Sequence, residues 1–396
     1  MDAATRAYLD QVPLDKKLAS NAYFEGGYWL YLWGFLYGAA IMVLLLASRI
    51  SARLRDFAAR LTGRRNLQTA VYFVGFLLLV ALLQFPLTLY QDFVREHHYG
   101  LATQTFSSWM RDVLVNIAVN LVLDTLAIVA LFAIVRRLGR SWWIWGAAAA
   151  VIFIAIGLII APVFIFPLFN KYTRLENGPV RDAVLSMARA NGIPARDVYV
   201  MDASRQTTRI SANVSGFLGT ERVTLNDNLL KRCSLAEIKA AMGHEMGHYI
   251  LNHNYKMLLF FAVLALIFFA WLDWSVQAAL RRWGGHWRIS GLGDPAVLPL
   301  AILMFSILFF ALTPIGNSFI RSQEYEADIF GLNAAGQPDG FAQVSLKLAD
   351  YRKLEPGKWE EIVFYDHPSG RTRIYSAMRW KAEHLAQVSN APAGGN

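Results

Sequence analysis

His244-Glu245-Met246-Gly247-His248 puts two imidazoles one helical turn apart on a single face, with a carboxylate beside them. That is half of a zinc site, with Glu245 as a candidate general base. The surrounding sequence predicts a helix: Ser234 can cap it, Glu237 completes a capping box, and Leu235, Ile238, Met242 and Tyr249 recur at helical spacing. The rival reading, two surface histidines on an ordinary helix, turns on a third ligand, because a catalytic zinc takes three protein ligands and leaves one position for water. A closely following ligand would require glycine at Leu251 and histidine at Asn254, and neither is present. His253, five residues beyond His248, falls off the ligand face and reads as a solvated histidine at the helix end. A remote acidic helix remains. In Glu324-Tyr325-Glu326-Ala327-Asp328, residues 324 and 328 share a face, so that Glu324 can bind the metal while Asp328 hydrogen-bonds the free ring nitrogen of His244. Glu326 reads as solvated.

Composition says where such a site would work. A mean hydropathy of +0.33, with 55% hydrophobic and 17% charged residues, describes a membrane protein. Six apolar stretches suffice to cross a bilayer, approximately 29–47, 70–90, 113–135, 142–169, 257–279 and 296–319. Trp142, Trp143, Trp145, Trp271 and Trp274 lie towards span ends, as interfacial anchors do. The first run is too long and too far from the N-terminus for a cleavable signal. The single Cys233 excludes an intramolecular disulfide and offers no cysteine metal site. Asn116, Asn120 and Asp124 draw a polar stripe down the third span, which reads either as interhelical hydrogen bonding or as the wall of a hydrated space. Asp273 and Asn317 carry the same two readings.

A polar segment of about 170–256 separates the fourth and fifth spans and carries the histidines. Pro179–Ala190 reads as an amphipathic helix, residues 198–201 and 222–225 as short strands, and 210–214 as a possible third. A strand edge beside a zinc site would hold a peptide in extended form through its main chain. Past 319 comes the acidic helix, then His367-Pro368-Ser369-Gly370-Arg371-Thr372-Arg373, where a histidine and an arginine could reach the metal and stabilise an oxyanion, an ordinary surface loop being the alternative. The organisation expected is therefore a four-span membrane domain over 1–169, a small α+β zinc metallopeptidase domain over 170–388 interrupted by two spans, and a disordered tail over 389–396. The fold class is mainly α.

Several segments add to this in one order. Phe93-Val94-Arg95-Glu96-His97-His98-Tyr99-Gly100-Leu101 follows the second span, Pro167-Leu168-Phe169-Asn170-Lys171-Tyr172-Thr173 leaves the fourth, and Asn213-Val214-Ser215-Gly216-Phe217 precedes a strand and Leu225-Asn226-Asp227. With the histidine helix, the acidic cluster and the 367–373 segment after them, the chain resembles the type I CAAX prenyl proteases, integral membrane zinc metallopeptidases that cleave near the C-terminus of prenylated proteins. The resemblance implies one zinc on His244, His248 and Glu324, Glu245 as general base, and Asp328 behind the ligands. It also implies substrate or transition-state contacts from His367 and Arg373, and Asn213 holding the peptide main chain. Ser369 stands where the family's H-P-P-x-x-x-R has its second proline, which leaves the spacing intact and bears on the loop's rigidity. It implies, too, a polytopic helix bundle enclosing a chamber, and a multi-pass location in a bacterial inner membrane or the endoplasmic reticulum. Eukaryotic members have seven spans where six are counted here.

Charge placement argues about sidedness. Arg49, Arg53, Arg55, Arg60, Arg64, Arg65, Arg136, Arg137, Arg140, Arg281, Arg282 and Arg288 fill three short loops on the face opposite the zinc domain. The positive-inside rule makes those loops cytoplasmic and the zinc domain not, whereas the resemblance implies a cytosolic zinc domain. Arginines covering the closed end of a chamber are a further reading, and the sequence alone leaves these placements standing. The net charge of +9 fits lipid headgroups, and nothing points to nucleic acid. Partners are then the bilayer and a peptide or protein substrate, prenylated or, in a source without prenylation, a damaged membrane protein. A transporter or scaffold with a structural metal is the rival of another class, and Glu245 argues against it because a structural zinc has no use for that carboxylate.

Overall fold

The computed structural model describes residues 1–215 and 222–390, with side chains to 384. Among the described residues, five continuous helical segments are long and apolar enough to cross a membrane: Leu14–Ala47, Arg65–His98, Phe106–Phe169, His253–Trp287 and Pro295–Ala335. The third breaks at Gly139, whose φ of +51° suits a residue without a Cβ. Its halves, Phe106–Leu138 and Trp142–Ile160 with its continuation to Phe169, pack against each other, so this segment crosses twice and six passes result, each containing a predicted span.

The passes close into a ring. The first packs on the second and the sixth, the second on the third, the third on the fourth, the fourth on the fifth and the fifth on the sixth. No residue in the most apolar stretch of Phe106–Phe169 is buried, whereas a helix inside a solid bundle would bury a stripe. The ring is hollow. Its end away from the histidine helix is closed by a core that includes Met42, Leu45, Tyr72, Phe76, Val276 and Leu300. Four of the loop arginines brace that end. The Arg49 and Arg55 guanidinium groups donate to the carbonyls of His286 and Arg288, Arg136 to that of Gly293, and Arg55 and Arg288 pair with Asp294 and Asp56.

At the open end sits the polar domain. Its sheet has the order β1 (Tyr172–Arg174), β2 (Val198–Met201), β4 (Arg222–Asn226), β3 (Ala212–Ser215), with β2 and β4 parallel and both outer pairs antiparallel. Val198, Val223 and Leu225 of the sheet, Val184 and Ala188 of helix Pro179–Ala190, and Ile238, Met242 and Met246 of the histidine helix form one buried core. A second core joins Ala240, Leu332, Phe341, Ile374 and Ala377 with Leu9 of helix Asp2–Leu9.

Differences from the sequence reading are local. Strand β1 was not expected; it is three residues long and carries no alternating apolar pattern. Helix Gly370–Asn390 overlaps the expected tail by two residues, and 391–396, like Gly216 and Phe217, lie outside the described residues. The polar intramembrane residues divide. Asp273 accepts from Trp142 Nε1 at 2.6 Å and Asn317 donates to the Val363 carbonyl at 2.8 Å, so both tie elements together. Asn116, Asn120 and Asp124 form no hydrogen bond among the described residues.

Candidate metal centre

Helix Leu235–Ile250 begins where the sequence places it. Ser234 Oγ accepts the Glu237 N–H, Glu237 Oε2 accepts the Ser234 N–H at 2.6 Å, and Lys347 Nζ stands 2.7 Å from Glu237 Oε1. The acidic helix, Leu298–Ala335, is the sixth pass continued into the domain. The two helices meet along a seam of small residues. A Cβ on Gly243 would lie 2.8 Å from the Gly331 carbonyl oxygen, one on Gly247 3.1 Å from Ala327 Cα, and one on Gly331 2.6 Å from the His244 nitrogen. Only this closeness lets a carboxylate 80 residues away in sequence reach the histidines.

His244 Nε2 lies 3.2 Å from Glu324 Oε2, His248 Nε2 lies 3.3 Å from Glu324 Oε1, and the two Nε2 atoms are 3.1 Å apart. One ligand atom from each residue falls within 4.8 Å of the others. Asp328 Oδ1 is 2.8 Å from His244 Nδ1, a contact whose angle falls short of a hydrogen bond. Arg373 donates to both Asp328 oxygens, Nε at 2.9 Å and Nη2 at 2.8 Å, and the same Nη2 is 3.5 Å from Glu324 Oε2. His367 Nε2 stands 3.3 Å from Glu324 Oε2 while its Nδ1 is 2.7 Å from Asp366. Thus seven of the eight residues singled out converge. Asn213 lies apart, exposed on β3, the edge strand that runs beside the histidine helix.

Ligand atoms at the cluster are left unsatisfied in a way that suits a cation. Glu324 Oε2 is buried without a hydrogen-bond partner, and two imidazole nitrogens face each other with one carboxylate between them. Burial draws the His244 pKa down, but Asp328 and Glu324 outweigh it and push it up to about 9. A metal held by His244 would have to displace that proton. Burial raises the Glu245 pKa against the opposing pull of His244 and His248, and burial lowers that of His367. Glu245 has no hydrogen-bond or ion-pair partner among the described residues, so its carboxylate is available beside the cluster.

One reading is corrected. His253 is not solvated: it is 2% exposed, with Nδ1 2.9 Å from His248 Nδ1 and Nε2 3.2 Å from Glu326 Oε2. Glu326 is exposed, as expected, and also partners His253 and Lys256, whose Nζ is 2.7 Å away. Helical spacing misplaces His253 because the helix ends before it; Asn252 adopts φ +57° and the chain turns back. Ser369 keeps the 367–373 loop in place without the proline, since its N–H donates to Glu361 Oε1 at 2.9 Å and its Oγ accepts the Thr372 N–H.

The peptidase family M48 model matches residues 174–381, and the model described as CAAX prenyl protease N-terminal, five membrane helices, matches residues 6–171. The chain belongs to peptidase family M48. This M48 protein is 30% identical to CAAX prenyl protease 1 of Saccharomyces cerevisiae, over 75% of this chain and 69% of that one. It is 29% identical to the uncharacterized metalloprotease YhfN of Bacillus subtilis, over 89% and 81%. Its fold matches the crystal structure of S. mikatae Ste24p with a TM-score of 0.78 at 21% identity, covering 93% and 90% of the two chains. It is a multi-pass integral membrane metallopeptidase acting on peptide or protein substrates. The M48 region contains all four of His244, Glu245, His248 and Glu324.

Proposed function

We propose that the metal is zinc, that His244, His248 and Glu324 hold it, and that Glu245 is the general base of peptide-bond hydrolysis. The observation that carries this is the convergence of three ligand atoms within 4.8 Å, with the Glu245 carboxylate, which has no hydrogen-bond or ion-pair partner among the described residues, on the same helix. Two imidazoles, one carboxylate and a position left for water form a donor set suited to catalytic zinc. When bound, zinc polarises water and the scissile carbonyl. Glu245 takes the proton of the attacking water, a task helped by a pKa raised above the usual carboxylate range, and returns it to the leaving amine. Asp328 orients His244, and Arg373, anchored on Asp328, holds that carboxylate in turn. His367 and Arg373, 3.3 and 3.5 Å from the Glu324 carboxylate, are the groups that would stabilise an oxyanion. The free edge of β3 accepts the substrate main chain, with Asn213 as a further hydrogen-bonding group.

A cavity of about 970 Å³ is walled by Tyr28, Tyr31, Phe309 and Phe310, and Arg95, Arg209, Arg352 and Asp366 also line it. Asp366 adjoins His367, so an apolar substrate segment in the cavity brings its neighbouring peptide bonds to the cluster. This supports a substrate with a strongly apolar or lipid-modified segment, and a prenylated C-terminal peptide, as the relatives' names indicate, is the form we favour. Purified protein is expected to hold about one zinc, and Glu245→Gln to keep it while peptide cleavage falls by on the order of 10²–10⁴. Retained cleavage would reject the assigned base. Cleavage of an unmodified apolar peptide as fast as its prenylated form would favour turnover of membrane proteins instead.

A further inference from the structure

His253 is a buried histidine for which the hydrolytic scheme has no use. It opens the fifth membrane helix, and the reversal at Asn252 sets its ring edge-on to that of His248, with centroids 4.9 Å apart at 74°. Its two nitrogens are both engaged, Nδ1 with His248 Nδ1 at 2.9 Å and Nε2 with Glu326 Oε2 at 3.2 Å. Lys256 Nζ holds the same carboxylate oxygen at 2.7 Å.

Two ring nitrogens at that distance share one proton, and the chemistry decides which carries it. For His248 to offer an Nε2 lone pair to the metal, its proton must sit on Nδ1 and be donated to His253 Nδ1. His253 is then protonated on Nε2 and donates to Glu326, so every proton in the chain has a place. Reversing the first bond would put a proton on His248 Nε2 and block it as a ligand. We propose that His253 and Glu326 form a relay that fixes the tautomer and ring orientation of His248, doing for it what Asp328 does for His244. Neither touches the ion; both are positioning residues. The proposal rests on the reading of His248 as an Nε2 ligand.

The test uses the purified full-length protein in lipid nanodiscs, with zinc affinity measured by competition against a chromophoric chelator and the ligand field read from the cobalt spectrum. His253→Phe fills the ring's volume but accepts nothing, and it is expected to weaken zinc about 10- to 100-fold and shift the cobalt bands. His253→Gln, which can both accept and donate, should recover most of that loss; an effect of mere packing would not be rescued this way. Zinc affinity within about threefold of the parent for a folded His253→Phe, with an unchanged cobalt spectrum, overturns the relay. If His253→Phe does not fold, Glu326→Ala carries the test from an accessible position: several-fold weaker zinc supports the relay and unchanged affinity overturns it. His248→Ala separates the two readings, because zinc retained there refutes the ligand assignment itself, whereas zinc lost there and unaffected by His253→Phe refutes only the relay.

Discussion

Gly331→Ala probes the seam that brings the two halves of the site together. The added methyl would sit 2.6 Å from the His244 nitrogen and 2.9 Å from its Cα, both backbone atoms with no rotamer to yield. Reaching ordinary contact requires the helices to part by about 0.8 Å. Overpacking of this kind costs about 1–3 kcal/mol, which lowers the unfolding temperature measurably. The larger effect falls on the site, because the ligand atoms of His244 and Glu324 are only 3.2 Å apart and sit on opposite helices. Displacement of catalytic geometry by about 1 Å can reduce turnover by about 10²-fold. Gly316→Ala, in the same helix with nothing within 4 Å of the added Cβ, is the matched control and should leave both quantities near parental. Metal content by elemental analysis, peptidase turnover and thermal midpoint would be measured on both variants. If Gly331→Ala keeps parental metal affinity and turnover, the argument that the seam sets the ligand geometry is wrong.

Glu324→Ala should lose the ion on dialysis, whereas Glu326→Ala should retain it with weakened affinity; elemental analysis after dialysis distinguishes them, and the reverse result would move the third ligand by two residues. Asp328→Ala strands the buried Arg373 guanidinium, expected to destabilise by about 3–5 kcal/mol in denaturant melts, while Asp328→Asn should lose less. At the start of the histidine helix, burial raises the Glu237 pKa but Lys347 and Ser234 outweigh it and hold it below its ordinary 4.5. A depressed folded-state pKa stabilises above pH 4.5 and ceases to do so as pH falls through the folded value, so the stability gap between the parent and Glu237→Gln should narrow below about pH 4.5. A gap that is constant from pH 7 to about pH 3 would contradict that.

Much of this was legible from residues alone, where the physics is local. Spans announce themselves because each must be apolar for about 20 residues whatever its neighbours do. Ser234 and Glu237 mark a helix start because a capping box closes over four residues, and Pro179–Ala190 is bounded by its own proline and glycine. His253 was misread for the complementary reason. Helical spacing holds only while the helix lasts, and the one local signal for its end is Asn252, a residue type that accepts the left-handed conformation found there. The Asn116, Asn120 and Asp124 stripe could not be assigned either, since its meaning depends on whether the helices form a solid bundle or a hollow ring.

The chain's own order of residues thus determined that it crosses a membrane, and which histidines and carboxylates could meet on a metal. Tertiary structure alone decided that they do meet, through glycines and alanines whose missing side chains leave two backbones nearly in contact. It also decided that six helices close around an empty centre and that a histidine just past the motif is buried against it. Such facts depend on the distance between segments remote in sequence, and that distance is set by the packing of the whole molecule.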